Sequence, residues 1–197
     1  MSGDLRREFG RKAFHMLSLV YWGVYARLGW PRAAQVLAAW LAVVLVVEVA
    51  RLKVPAVERA LVDFFDGMMR ETERRHFSGI VHTTAGCLAA MLIARGDARI
   101  VGAAIGQLAF GDAAAALIGK AFGSVKILGG RKSLEGSLAC LCAAYAVAYA
   151  CGVGARAALG SAAIASLVEL LPTTGFFNDN LWLPTASAAT LRLMLGK

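Results

Sequence analysis

Seven apolar blocks constrain this chain more than any other feature. They cover residues 13–30, 33–50, 79–94, 100–119, 134–153, 157–171 and 181–195, and the last two are the shortest. Most are about 16–22 residues long, the length a helix needs to cross a bilayer. A soluble domain has no use for so many continuous apolar runs, because its surface helices need a polar face. The expected fold is therefore all-α: a polytopic bundle of about seven transmembrane helices, forming one integral membrane domain over residues 1–197.

Composition agrees. Apolar residues make up 58% of the chain and charged residues 17%, and mean hydropathy is +0.61. A disordered chain, a collagen and a coiled coil are excluded on that balance. The net charge of +8 would suggest nucleic acid in a soluble protein. Here the basic residues favour one side of the blocks. With the N-terminus in the cytoplasm, 14 of the 21 Lys and Arg fall in segments on that side. The positive-inside rule then places the protein in a cell inner membrane, N-terminus in and C-terminus out, with no nucleic-acid partner needed. No cleavable signal peptide is expected, because the first 12 residues are polar and charged.

The one long link, residues 51–78, is not a plain loop. Val54, Val57, Leu61, Phe64, Phe65, Met68 and Met69 recur at helical spacing, with Arg59, Asp63, Asp66 and Arg70 between them. An amphipathic helix at the membrane surface, over about 54–77, fits that pattern, and Pro55 suits its first turn. A partner-binding helix is the alternative. The four cysteines, Cys87, Cys140, Cys142 and Cys151, all lie inside apolar blocks and read as small packing residues.

The acidic residues of the blocks are the functional signal. An ionisable group at bilayer depth costs at least about 2.5 kcal/mol, so each one calls for a role. Glu48, Asp112, Glu135, Glu169 and Asp179 all fall towards the cytoplasmic side in this orientation, as do Arg11, Lys12, His15, Lys120, Arg131 and Lys132. On a helix, Asp112, Ala115, Ala116 and Gly119 share a narrow face of small residues, which leaves room beside the carboxylate. The following link carries Lys120, Gly129, Gly130, Arg131, Lys132 and Ser133, then Glu135 and Gly136 at a helix start. Glycine backbone N–H groups, Arg and Lys are the groups that hold phosphates. A carboxylate beside a polyphosphate points to Mg²⁺. The pattern reads as a nucleotide site with a metal. It is not a P-loop, since Ala114 stands where the first glycine should be and no Ser or Thr follows Lys120. A flexible positive-inside loop is the bland alternative.

Gly111-Asp112, Gly119-Lys120 and the run Gly130-Arg131-Lys132-Ser133-Leu134-Glu135-Gly136-Ser137 closely resemble the membrane lipid kinases that use CTP: dolichol or polyprenol kinase, phytol kinase and the CTP-dependent diacylglycerol kinase. Glu8, Arg11, Lys12 and His15 resemble the N-terminal motif of that family, Arg70 with Glu73 a weaker one, and Glu169 with Asp179 and Asn180 a late acidic pair. The resemblance covers most of the chain. It implies transfer of the γ-phosphate of CTP to the hydroxyl of a membrane lipid alcohol, either a polyprenol, dolichol or phytol-like prenol or diacylglycerol. Phosphatidate cytidylyltransferase belongs to the larger family and is the alternative, but its long C-terminal signature of Lys-Asp, Pro-Gly-His-Gly-Gly and paired Asp is absent. A transporter is the third reading.

Phosphoryl transfer asks for positioning and charge neutralisation. Asp112 and Asp179 are expected to hold Mg²⁺ with Glu169 nearby. Lys120, Arg131 and Lys132 would neutralise the triphosphate, Ser133, Gly129 and Gly130 would donate to it, and Glu135, Gly136 and Asn180 would lie along the nucleotide. Arg11 and Lys12 would contact phosphate, and His15 would do so too or act as base on the lipid hydroxyl. Each has a plainer reading. Asp179 or Asn180 can cap the last helix, with Pro184 in its first turn. Glu169 can be a core acid paired to a cation. Glu48 can pair with Arg51 at the interface, their stems along apolar surface. Glu135 can favour a helix N-terminus. Arg11 and Lys12 can be a positive-inside anchor, and His15 a polar packing residue. Trp22, Tyr25, Trp30 and Trp182 read as belt anchors, and His76 and His82 as structural or interface residues.

Overall fold

The computed structural model describes Lys12 and residues 15–64, 76–171 and 177–196. Among the described residues, eight helices and one two-stranded hairpin make up the fold. A single 3₁₀ turn, Met16–Ser18, leads into α1, Leu19–Leu28. Next come α2, Arg32–Lys53, and α3, Pro55–Phe64. They are followed by α4, Gly79–Ala94, and α5, Ala98–Phe122. Strands β1, Lys126–Ile127, and β2, Lys132–Ser133, pair antiparallel, with Lys126 opposite Ser133 and Ile127 opposite Lys132. The last three helices are α6, Leu134–Ala150, α7, Ala155–Leu170, and α8, Asp179–Met194. Each of the seven apolar blocks holds one helix, so the all-α expectation is met.

Two of these helices, α2 and α5, are long and apolar enough to cross a membrane. The others in the apolar blocks are shorter. At 1.5 Å per residue, the 16 residues of α4, α7 and α8 reach about 24 Å, short of a hydrocarbon core of about 30 Å. Of the amphipathic helix expected over 54–77, Pro55–Phe64 is helical as α3, residues 76 and 77 are not helical, and residues 65–75, with Arg70 and Glu73, lie outside the described residues.

The core is built from small side chains. Ala90, Ala103, Ala104, Ala144, Ala158, Ala162, Ala165 and Ala188 are fully buried around Met91, Ile100, Ile105, Leu108, Leu183 and Leu191. Alanine and glycine let helix backbones approach closely, and dispersion then acts over many contacts. Gly86 marks the tightest place. A Cβ there would sit 2.6 Å from the Asn180 carbonyl oxygen and 2.8 Å from that of Leu181, so α4 and α8 meet backbone to backbone. Near the opposite ends of the same two helices, Arg192 donates to the Ile93 carbonyl oxygen. These contacts show that α4 and α8 run parallel. Pro184 lies inside α8 and removes the intrahelical bond that Asn180 would accept.

Tyr25 is buried in the core, 4% exposed, which corrects its reading as a belt anchor. Its neighbours Trp22 and Trp30 are exposed. Fully buried Gln107 ties three helices together, its Nε2 donating to the Ala144 carbonyl oxygen at 3.1 Å and to Ser161 Oγ at 2.9 Å.

Candidate active site

Helix α5 changes register before its carboxylate. Gln107–Gly111 forms a π-helical turn, and Asp112 follows it directly. Such turns insert a residue into the helical repeat and often occur at functional sites. The small residues of the stretch permit the close packing. A Cβ on Gly111 would meet Cys140 Sγ at 3.3 Å, so α6 sits hard against the turn. Asp112 is left buried, 4% exposed.

Lys12 and His15 converge on that carboxylate from a point about 100 residues earlier in the chain. Lys12 Nζ, also buried, donates to Asp112 Oδ2, and His15 Nε2 lies 3.5 Å from the same oxygen. All three line a cavity of about 730 Å³, together with Asn180 from α8. Most of the remaining wall is apolar, supplied by α1, α2 and α4.

A second ion pair lies close by. Lys132, from β2, donates to the Glu169 carboxylate and, at 2.7 Å, to the Glu169 carbonyl oxygen at the end of α7. The charges of Asp112, Asp179 and Lys132 all act on Glu169, so these groups share one electrostatic neighbourhood. Asp112, Glu169 and Asp179 therefore gather at one end of the bundle from three helices. Among the described residues, no three His, Cys, Asp or Glu side chains stand together as a ready cage for a metal ion. A Mg²⁺ site of the sort that takes one or two carboxylates and completes itself with phosphate oxygens needs no such cage.

Several of the other residues singled out from the sequence do local structural work. Ser133 is the N-cap of α6, its Oγ accepting the Gly136 N–H at 3.2 Å. Gly119 and Gly136 let α5 and α6 cross at close range: a Cβ on Gly136 would stand 2.8 Å from the Ala115 carbonyl oxygen. Glu135 accepts the Ser124 and Val125 backbone N–H groups, each at 3.0 Å, and closes the turn after α5. Gly129 and Gly130 both take positive φ, at 68° and 85°, and make the tip of the hairpin. Lys120 and Arg131 are exposed, while Arg11 lies outside the described residues.

Two plainer readings change. Asn178 caps α8, its Oδ1 accepting the Asn180 N–H at 3.0 Å, in place of Asp179 or Asn180. Asp179 Oδ1 accepts the same N–H, and the residue is buried. Glu48 and Arg51 do pair, but in the interior. Arg51 Nε and Nη2 donate to Glu48 at 3.1 and 2.9 Å, and Arg51 is only 2% exposed. Glu48 also accepts the Ser78 N–H at 2.9 Å, and Arg51 donates to the His76 carbonyl oxygen at 2.7 Å. The pair is a strap between the end of α2 and the start of α4.

The cavity also contains residues not singled out from the sequence. Trp40 Nε1–H donates to Tyr21 Oη at 3.2 Å. The Thr84 hydroxyl is committed to the Ile80 carbonyl oxygen at 2.8 Å, so the Tyr21 hydroxyl donates to Thr84 Oγ1, also 2.8 Å away. This chain links α1, α2 and α4. The available signal was Trp40, which stands in the middle of its apolar block rather than at an end where belt residues sit.

No family model, curated protein or solved structure matches the chain.

Proposed function

We propose that the protein is a membrane lipid kinase that transfers the γ-phosphate of CTP to the hydroxyl of a membrane lipid alcohol. The observation that carries this reading is Asp112: a buried carboxylate, engaged by Lys12 and flanked by His15, at the polar end of a large cavity that is otherwise apolar. A substrate with a long apolar tail and one reactive polar head matches that division. Lys12 has a flexible stem and a point charge, so it can leave Asp112 for a phosphate oxygen. Lys132, which pairs with Glu169, would with Lys120 and Arg131 supply further cations to the triphosphate, and Glu169 and Asp179 add negative charge near Asp112. Asp112, with Asp179 and Glu169 near it, would hold Mg²⁺, which when bound neutralises charge on the transferring phosphoryl group. His15, 3.5 Å from Asp112, would orient the lipid hydroxyl or receive its proton.

In this reading the chain crosses the inner membrane as seven helices, with the N-terminus and the site at the cytoplasmic face, where nucleotides are. The 16-residue helices fall about 6 Å below the usual hydrocarbon thickness and the 10-residue α1 about 15 Å below it, a mismatch that local thinning accommodates at fractions of a kcal/mol per Å. The use of CTP rests on the resemblance of the Gly130–Ser137 run. The test incubates purified protein with γ-labelled CTP, ATP and GTP and a panel of prenols and diacylglycerol, with and without Mg²⁺. Label should enter a lipid alcohol from CTP and only with the metal. Preference for ATP would overturn the CTP assignment, and no labelled lipid from any donor would overturn the kinase.

A further inference from the structure

The cavity is polarised along its length. On α2 its lining runs from Val36, Leu37 and Trp40 through Val43, Val44 and Val47 to Glu48 and Arg51. On α4 it runs the other way, from Ser78 and Thr83 to Met91, and on the N-terminal segment from Lys12 and His15 to Val20 and Val24. These gradients agree on one polar end, which holds Asp112 and Asn180, and one apolar end.

Its dimensions follow from α2. Val36 to Arg51 is 15 steps along the helix, or about 22 Å at 1.5 Å per residue. The channel is long enough for an apolar tail to lie extended along α2.

One flank opens on the outside of the bundle. Val36, Trp40, Val43 and Val47 follow one another at steps of four, three and four, form a single helix face, and are each roughly half exposed. The next face of α2, Leu37, Val44, Glu48 and Arg51, is buried. Two buried hydroxyls that line the polar end, Ser18 and Ser78, have no hydrogen-bond partner among the described residues. Native interiors rarely leave such groups unmatched unless a ligand or water takes them.

We propose that this channel between α1, α2 and α4 is the binding site for the tail of the acceptor and that the tail enters sideways past Val36, Trp40, Val43 and Val47. The inference deepens the kinase reading and depends on it for the role of the bound lipid. The Trp40–Tyr21–Thr84 chain fixes the spacing of the three walls.

The experiment uses the full chain in nanodiscs and a long-chain prenol carrying a diazirine in its tail, with no nucleotide present. After irradiation, the labelled peptides are mapped by mass spectrometry. Label is expected on α1 and the Val36–Val47 face of α2, and a plain long-chain alcohol should compete for it at least about tenfold better than a short-chain alcohol, a difference of about 1.4 kcal/mol. Val43→Trp, which narrows the channel, should lower labelling and raise the acceptor KM about tenfold, within the usual cost of overfilling a packed site. Val46→Trp is the control, since Val46 is exposed on the same helix and does not line the cavity. Even labelling of all the outward helix faces, equal competition by the short-chain alcohol, or equal effects of the two tryptophans would overturn the inference. Channel labelling in a protein that phosphorylates no lipid would leave the binding site standing and remove the kinase instead.

Discussion

Glu48 and Asp112 are two buried carboxylates that line the same cavity, and their surroundings differ in kind. Glu48 is gripped by the Arg51 guanidinium at two points and by a backbone N–H, and Arg51 is in turn fixed to a carbonyl oxygen. Two-point arginine pairing is geometrically demanding and leaves little freedom. Asp112 is met by a lysine, whose ammonium can turn to another anion, and by an imidazole at 3.5 Å. The first arrangement ties two helix ends together. The second keeps a charge at the end of a channel in a form that a ligand can exchange. Burial alone does not separate a structural charge from a reactive one; the mobility of the partner does.

The comparison breaks if the two carboxylates respond alike. The largest effect is expected at Asp112. Asp112→Asn should lower turnover by about 10²–10³-fold or more, the range seen when a preorganised electrostatic contact is removed, with helix content and thermal unfolding in detergent close to wild type. Removing the guanidinium from the strap should do the reverse. Arg51→Met leaves Glu48 buried without its cation and should cost about 3–5 kcal/mol of stability, read as a lower unfolding midpoint.

Lys12→Met comes next. It should reduce kcat/KM about 10–100-fold, the equivalent of the 1.5–3 kcal/mol of a charge-assisted hydrogen bond, and lower the unfolding midpoint because Asp112 is left buried without its ammonium partner. An unchanged rate would make Lys12 an anchor only. Gly86→Ala should destabilise by about 1–3 kcal/mol, because its Cβ would push two backbones apart. Ser133→Ala has the smallest effect, about 1 kcal/mol for a lost helix cap. A fall in activity larger than that loss explains would show that the Ser133 hydroxyl also meets a ligand.

The helices were legible because an apolar run of this length is a strong signal, and its ends at 79 and 94 coincide with those of α4. The hairpin between α5 and α6 was legible as a glycine-rich basic link. What escaped was long-range. Nothing local links Lys12 to Asp112 across 100 residues, and their meeting depends on how the N-terminal segment packs on α5. The burial of Glu48 and Arg51 depends in the same way on α4 arriving with its Ser78 N–H. Asn178 was missed as a cap because Asp179 and Asn180 beside it are equally good capping residues, and backbone conformation decides between them. The channel between α1, α2 and α4 belongs to no single segment.

Activity per folded molecule in Asp112→Asn and Glu48→Gln, measured side by side with γ-labelled CTP and a single-chain lipid alcohol, bears most directly on the division between the two charges. Asp112→Asn should be folded and inactive, while Glu48→Gln should be less stable yet transfer label at a rate within about threefold of wild type, a difference below 1 kcal/mol in the barrier. Full transfer by Asp112→Asn, or its selective loss in well-folded Glu48→Gln, would contradict the account.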